Sequence, residues 1–190
     1  NVVLFPSVFL PLHIFEPRYR KMIEDSLDGP GRLVLGTITG PGESEAPPPE
    51  VMPIAGLGEI ARHEKLPDGR FLVWIFGLAR VRIAEVDSDE QYRQVQYEII
   101  EEVGPTGSEV RDLRESLSEA ILSRTEEIMN LPEDVPIGLL ADLLLQRMKL
   151  PQEVMEGIFG EYIETDRATK ALEAHARYPA APEDDNDDED

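Results

Sequence analysis

The sequence predicts an α+β fold, in which a strand-rich first part is followed by a helical second part. Three observations predict it. An Asp-Gly turn in the segment Pro67–Gly69 separates two runs of β-forming residues, which is typical of a hairpin. Apolar and polar residues alternate in the runs 80–83 and 94–99, whereas after Leu113 apolar residues recur every three or four positions, as on one face of a helix. With 190 residues, the chain is long enough for one compact domain or two small ones.

Five or six short segments of the first part have strand character. They are residues 33–35 with Ile38, 54–60, 71–76, 81–83 and 95–99. The run 71–76 is apolar on both faces, which predicts a central strand covered from both sides. We expect Gly77 to end that strand, and Arg80 and Arg82 to alternate with apolar residues along a half-exposed strand. Many short strands with glycine corners favour a small barrel or a tightly curled sheet.

One helix is expected within the first part, over about residues 17–28. Pro17 suits the first helical position, where its missing N–H is not needed, and Gly29-Pro30 ends the helix. The apolar stripe of this helix has helical spacing and consists of Tyr19, Met22, Ile23 and Leu27.

Four helices are expected in the second part. The first begins near Leu113, includes Ile128 and ends at Pro132. The other three cover residues 137–148, 151–159 and 165–178. The helix over 137–148 is apolar almost all round, so we expect it to be buried.

These elements divide the chain into three parts. Residues 1–103 are expected to form a β-rich domain with one helix, and residues 104–178 a helical domain. Residues 179–190 are expected to be a disordered acidic tail, because Pro and Ala followed by acids bury too little apolar surface to order. Residues 40–50, rich in Pro, Gly and Glu, predict a mobile loop.

Charge and composition exclude several classes of function. The net charge is −21, from 18 Lys and Arg against 39 Asp and Glu. Such a chain is repelled by phosphate backbones and anionic lipid, so we expect neither a nucleic-acid partner nor a membrane. The absence of cysteine excludes disulfides, iron–sulfur clusters and Cys nucleophiles. The N-terminal residues lack the basic region and cleavage site of a signal peptide, so we expect a soluble, cytoplasmic protein.

No pattern predicts a catalytic residue, a metal site or a cofactor. The three histidines, His13, His63 and His175, are scattered, whereas a catalytic zinc site needs about three protein ligands. The sequence contains neither a P-loop nor a G-x-S-x-G nucleophile elbow. Arg18 is interpreted as an internal ion-pair or helix-capping residue, with a ligand contact as the alternative. We therefore expect a protein that is not an enzyme.

Two segments near the N-terminus resemble a known family. Residues 4–6 (LFP) and 9–19 (FLPLHIFEPRY) are similar to the opening of the Lon protease N-terminal domain family, in particular its stand-alone members. Further matches follow in order at Gly36, Gly58, Pro67–Gly69, Gly77–Val81, Leu140–Asp142, Leu150-Pro151 and Ile163–Arg167. The resemblance covers about residues 2–175, and its first motif is the most specific.

The resemblance implies a PUA-like pseudo-β-barrel followed by a C-terminal helical bundle. In Lon this domain helps to recognise unfolded or damaged substrates, and the ATPase and Ser-Lys peptidase modules of Lon have no counterpart in these 190 residues. The motif residues are interpreted as structural; they are Pro11, Leu12, Ile14, Glu16, Pro17, Arg18, Tyr19, Gly77 and Arg80. In this interpretation Pro11 ends a strand, Ile14 and Phe15 fill the space between sheet and helix, and Tyr19 faces inward.

The leading hypothesis is a recognition module for unfolded or apolar polypeptide segments, or for a protein partner. The segments would lie in a groove between barrel and helices, bordered by residues 40–50. The candidate binding residues are Phe9, Phe15, Trp74 and Phe76, for each of which a place in the core is the alternative. Other functions left open are a regulatory scaffold, a barrel that binds a small ligand and RNA binding, which the charge disfavours. The sequence does not indicate an oligomeric state.

Overall fold

The computed structural model describes residues 2–38, 50–105, 110–125, 132 and 134–179. The chain forms two compact units, unit 1 (Asn1–Glu101) and unit 2 (Glu102–Asp190). Residues 40–49 of the expected loop and 180–190 of the expected tail lie outside the described residues.

Unit 1 is an antiparallel sheet with one helix in its described residues. Its elements are β1 (Phe9–Ile14), α1 (Pro17–Leu27), β2 (Arg32–Leu35), β3 (Ile54–Lys65), β4 (Phe71–Val86) and β5 (Gln94–Ile99). The strand order is β1-β4-β3-β2, and β5 also pairs with β4. β4 is therefore the central strand: β1 pairs with its first half, β5 with its second half, and β3 with its other edge.

The predicted hairpin and the predicted helix of the first part are confirmed. In the turn between β3 and β4, the N–H of Leu66 donates to the carbonyl of Arg70 at 2.8 Å. Gly69 has a φ of 83° there, a left-handed conformation that glycine adopts without strain. Helix α1 begins at Pro17, and its Ile23 is fully buried in a cluster with Leu33 of β2 and Phe71, Val73 and Ile75 of β4.

The prediction that Gly77 ends a strand is wrong, because β4 continues through it to Val86. The N-terminal segment crosses β4 at this point. The N–H of Gly77 donates to the carbonyl of Val8 at 2.9 Å, and the N–H of Ser7 donates to the carbonyl of Gly77 at 2.8 Å. A Cβ at Gly77 would lie 1.9 Å from the carbonyl oxygen of Phe5. Glycine is therefore required for a close backbone crossing, and not as a break in the strand.

The first strand also differs from its prediction. Pro11 lies within β1 and does not end it. Among the described strands β1 lies at the edge of the sheet, and an edge strand accepts proline because the ring nitrogen can face away from the neighbouring strand. Phe15 is 62% exposed, so it does not fill the space between sheet and helix.

The two faces of β4 are buried to different degrees. Phe71, Val73 and Ile75 are buried, whereas the alternating residues Leu72, Trp74 and Phe76 are only half-buried. The strand is central, as predicted, but only one of its faces is fully covered. The expectation for Arg80 is wrong: its side chain is 1% exposed, with the guanidinium carbon 5.9 Å from the centre of the Phe5 ring, while Arg82 is exposed.

Unit 2 is helical in its described residues. Its helices are α2 (Val110–Leu122), α3 (Ile137–Gln146), α4 (Gln152–Phe159) and α5 (Glu164–Arg177). α3 is largely buried, which confirms the prediction from its apolar composition. The predicted first helix is too long, because α2 ends at Leu122; Ile128 lies outside the described residues. Ser123 follows α2, and its hydroxyl donates to the carbonyl of Ala120 at 2.8 Å, a local bond that competes with helix continuation.

A buried ionic cluster joins α3 and α5. Arg167 is 0% exposed, and its Nε lies 3.2 Å from Oδ1 of Asp142, which is 2% exposed. This contact is an ion pair without hydrogen-bond geometry at Nε. The Nη atoms of Arg167 donate to the carboxylate of Glu102 at 2.5 Å and to the carbonyl of Glu161 at 2.7 Å. The α+β class predicted from the sequence is confirmed by the sheet of unit 1 and the helices of unit 2.

Candidate functional site

Three of the four predicted binding residues share one face of the sheet. In the register of β1 and β4, Phe9 lies opposite Phe76 and Pro11 opposite Trp74. Paired residues of antiparallel strands project to the same face. Phe15 directly follows β1 and continues the alternation of exposed residues at positions 9, 11 and 13. We call the surface formed by Phe9, Phe15, Trp74 and Phe76 the aromatic face.

The aromatic face is partly open to solvent. Phe9 and Phe15 are 60% and 62% exposed, and Trp74 and Phe76 are half-buried. The rings of Phe9 and Phe76 are tilted against each other with centroids 4.9 Å apart. The guanidinium carbon of Arg62 lies 4.9 Å from the centre of the Trp74 ring. None of the four residues is fully buried, so the alternative of a place in the core does not apply to Phe9 or Phe15.

Unit 1 also contains an apolar cleft of about 630 Å³, which we call the α1 cleft. Its walls come from α1, from all five strands of the sheet and from the residues just before β5. None of the four residues of the aromatic face lines it, whereas four of the motif residues do: Leu12, Ile14, Arg18 and Tyr19. Tyr92 and Tyr97 also line the cleft, although no pattern in the sequence marked them as residues of a site.

Polar contacts hold one wall of the α1 cleft. The hydroxyl of Tyr92 donates to Oδ2 of Asp25 at 2.9 Å, and Nζ of Lys21 lies 2.6 Å from the same oxygen. These hydrogen bonds keep the pKa of the Asp25 carboxyl below its ordinary value. Burial, together with the bond to Asp25, raises the pKa of the Tyr92 hydroxyl. The segment before β5 is thereby tied to helix α1.

The motif around Pro17 has a local structural role. The carbonyl of Glu16 accepts the N–H groups of Tyr19 at 3.1 Å and Arg20 at 2.9 Å, which begins α1. Arg18 forms an ion pair with the carboxylate of Glu16 at 2.9 Å, and its guanidinium carbon lies 4.4 Å from the centre of the Tyr19 ring. Arg18 therefore forms an ion pair, but the pair is not internal, because the two side chains are 35% and 41% exposed.

The histidines are not brought together. His13 and His63 are exposed in unit 1, and His175 is half-buried in unit 2. Nδ1 of His175 accepts a hydrogen bond from Nε of Arg124 at 2.7 Å. Burial lowers the pKa of His175, and the positive charge of Arg124 lowers it further. In the part of the chain that the structure describes, no group of three His, Cys, Asp or Glu side chains is arranged to hold a metal ion. Helices of that part are all too short or too polar to cross a membrane.

Comparison with known proteins gives one family. Residues 1–174 match the family described as the ATP-dependent protease La (LON) substrate-binding domain. The Lon protease of Trichlorobacter lovleyi is 26% identical over 159 residues, which cover 79% of this chain and 20% of that protein. The Lon protease of Dictyoglomus thermophilum is 26% identical over 170 residues, covering 83% and 21%. The chain thus spans about a fifth of the length of the curated relatives it matches.

Two solved structures share the fold. The N-terminal domain of the Mycobacterium avium complex Lon protease superposes with a TM-score of 0.72 at 14% identity, covering 93% of this chain and 94% of that one. A Lon N-terminal domain protein from Xanthomonas campestris superposes with a TM-score of 0.63 at 15% identity, covering 90% and 92%. At these identities the likeness concerns the fold alone.

Proposed function

The chain belongs to the family of the ATP-dependent protease La (LON) substrate-binding domain, and we propose that it is a non-enzymatic module that binds apolar segments of unfolded polypeptides. The match is to a substrate-binding domain and not to an ATPase or peptidase module, which supports recognition without catalysis. The proposed partner is therefore an unfolded polypeptide, or a protein that exposes an apolar segment.

The observation that carries the proposal is the exposure of the aromatic face. Phe9 and Phe15 are 60% and 62% exposed, and the ring of Phe9 lies against the half-buried ring of Phe76. Full burial of one such side chain by a partner contributes roughly 1.5–3 kcal/mol. Aromatic side chains are also rigid, so that little conformational entropy is lost when they are covered. These properties suit the binding of apolar side chains.

The location of this surface suits an extended segment. β1 is an edge strand of the sheet in the described part of the chain, so a peptide can lie along it beside Phe9 and Phe15. Pro11 withholds one backbone donor from β1. We therefore assign the binding energy to the aromatic side chains and not to continuous strand pairing.

The test uses a fluorescein-labelled peptide of about 20 residues rich in Phe and Leu, with binding followed by fluorescence anisotropy. The double variant Phe9→Ser/Phe15→Ser is expected to weaken binding at least about tenfold, which corresponds to 1.4 kcal/mol. The matched control is Ile99→Ser: Ile99 is equally exposed, at 62%, and belongs to neither the aromatic face nor the α1 cleft. This control is expected to bind like the wild type.

Two results contradict the proposal. One is the absence of saturable peptide binding by the wild-type chain at high micromolar concentration. The other is an equal loss of affinity in the double variant and in Ile99→Ser, because the effect would then not depend on the aromatic face.

A further inference from the structure

We propose that the α1 cleft is a separate binding site for a small apolar molecule with an anionic end, of the fatty-acid class. None of the four residues of the aromatic face is among the residues that line the cleft. The two sites can therefore be tested independently of each other.

The size and the walls of the α1 cleft fit such a ligand. Its volume of about 630 Å³ falls within the range of about 300–1,000 Å³ that is usual for sites of small molecules. Aliphatic side chains form most of the wall: Leu12 and Ile14 from β1, Met22 from α1, Leu33 and Leu35 from β2, and Ile83 from β4. A flexible alkyl chain can follow a wall of this kind and remove it from water.

The charges of the cleft differ from those of the rest of the chain. Among the residues that the structure describes, three arginines line the cleft, Arg18, Arg32 and Arg93, together with one acid, Glu85. The whole chain has the opposite balance, with 18 basic residues and 39 acidic ones. Each of these arginines has an acidic partner, Glu16, Glu59 or Glu85, so an anionic group is favoured only where an arginine can donate to it beside that partner.

Arg32 is the arginine that we assign to the anionic end. Arg18 and Arg93 form close ion pairs, at 2.9 Å to Glu16 and 2.7 Å to Glu85. The contact of Arg32 is longer: its Nε lies 3.5 Å from a carboxylate oxygen of Glu59, and both side chains are about half exposed. A guanidinium has five N–H donors in a planar fork, so Arg32 can donate to a ligand carboxylate as well.

Other polar groups lie at the same end of the cleft as Arg32. The N–H of Gly31, the residue before Arg32, donates to the carbonyl of Ser26 at 2.9 Å, and Ser26 also lines the cleft. The hydroxyl of Tyr92, another lining residue, already donates to Asp25, so we do not assign it to the ligand. The polar end of a ligand would thus meet Arg32, while its alkyl chain runs along the aliphatic wall.

The experiment titrates decanoate into the ¹⁵N-labelled full chain at pH 8 and follows amide shifts by NMR, with 1-decanol as the uncharged probe. Saturable shifts are expected at cleft residues such as Leu33 and Leu35, and decanoate is expected to bind more tightly than decanol. Arg32→Gln is expected to weaken decanoate about three- to fivefold, the effect of one exposed ion pair, and to leave decanol unchanged. The control Arg82→Gln removes an exposed arginine of β4 that does not line the cleft, and it is expected to change neither.

A second variant tests the apolar wall of the cleft and leaves its charged residues unchanged. Leu35→Phe narrows the wall and is expected to weaken both probes. The proposal is overturned if decanoate gives no saturable shifts in the cleft, or if its shifts lie at the aromatic face. It is also overturned if Arg32→Gln and Arg82→Gln affect decanoate equally. Failure of the peptide test with Phe9→Ser/Phe15→Ser leaves these outcomes unaffected, because it concerns a different surface.

Discussion

Unit 1 and unit 2 hold their elements together by different means. In unit 1 the N-terminal segment crosses β4 at backbone distance, and Gly77 leaves room for the carbonyl of Phe5. In unit 2 the helices α3 and α5 are joined by a buried charge cluster around Arg167 and Asp142. The crossing in unit 1 depends on the absence of a side chain at Gly77, whereas the cluster in unit 2 depends on the charged side chain of Arg167. Conservative substitutions should therefore affect the two units by different mechanisms and to different extents.

The largest effect is expected at Arg167. Arg167→Met removes the buried cation that lies 3.2 Å from the carboxylate of Asp142, and breaking a buried ion pair in this way should lower the free energy of unfolding by about 3–5 kcal/mol. Urea unfolding followed by far-UV circular dichroism measures the change. The control on the same helix is Lys170→Met, which removes a half-exposed partner of Glu161 and should cost less than about 1 kcal/mol.

Equal losses in Arg167→Met and Lys170→Met would show that the cluster does not stabilise unit 2. The double variant Arg167→Met/Asp142→Leu sharpens the comparison. Replacing a whole buried ion pair by apolar residues is often neutral, so this variant should recover much of the stability that the single substitution loses.

A smaller effect is expected at Gly77. In Gly77→Ala the new methyl group would lie 1.9 Å from the carbonyl oxygen of Phe5, so one of the two backbones must move. Overpacking of this kind lowers the free energy of unfolding by about 1–3 kcal/mol. Trp74 is the only tryptophan of the chain, and its fluorescence reports the unfolding of unit 1.

Gly29→Ala is the control for this substitution. A Cβ at Gly29 meets its nearest atom at an ordinary 3.6 Å, so the change in unfolding free energy should stay within about 0.5 kcal/mol. If Gly77→Ala were as stable as Gly29→Ala, the close crossing would not be what requires glycine in unit 1.

The smallest effect is expected from the titration of His175. Its neutral Nδ1 accepts a hydrogen bond from Arg124, and burial lowers its pKa below the ordinary 6.5. The unfolded chain therefore binds this proton more readily than the folded one. The stabilising contribution of His175 is fully present above about pH 6.5 and is lost as the pH falls through the lower pKa of the folded state.

His175→Gln keeps an acceptor for Arg124 and removes the titration. Urea unfolding of both proteins between about pH 7 and pH 5 should show a steeper loss of stability in the wild type than in the variant. If the free energy of unfolding depended on pH in the same way in both proteins, the titration of His175 would not contribute to the stability of the fold.

Much of the fold could be predicted because its signals are local. The Asp-Gly turn, the helix that starts at Pro17 and the apolar composition of α3 each lie within a few consecutive residues. The errors concern residues whose role depends on a distant segment. Glycine often ends a strand, but Gly77 lies within β4, where residues 5–8 cross it. Arg80 alternates with apolar residues along the sequence, but its side chain is buried near Phe5.

The candidate sites were predictable to different degrees. Alternation along β1 indicates that Phe9 and the residues two and four positions further on share one face, but only the pairing with β4 adds Phe76 and Trp74 to it. The α1 cleft combines residues from β1 to β5, more than 80 positions apart in the case of Leu12 and Tyr97. A pattern within a few consecutive residues therefore cannot predict that these side chains line one cleft.

The amino-acid sequence by itself determined the α+β class, the element types, the strong acidic charge and the resemblance to the Lon N-terminal domain family. These properties follow from residue type and from spacing within one turn or one strand. Only the tertiary structure decided which aromatic rings stay exposed, which arginines are buried and where an apolar cleft opens. Those outcomes depend on strand register and on the packing of distant segments, because a side chain is covered by whatever the fold brings next to it.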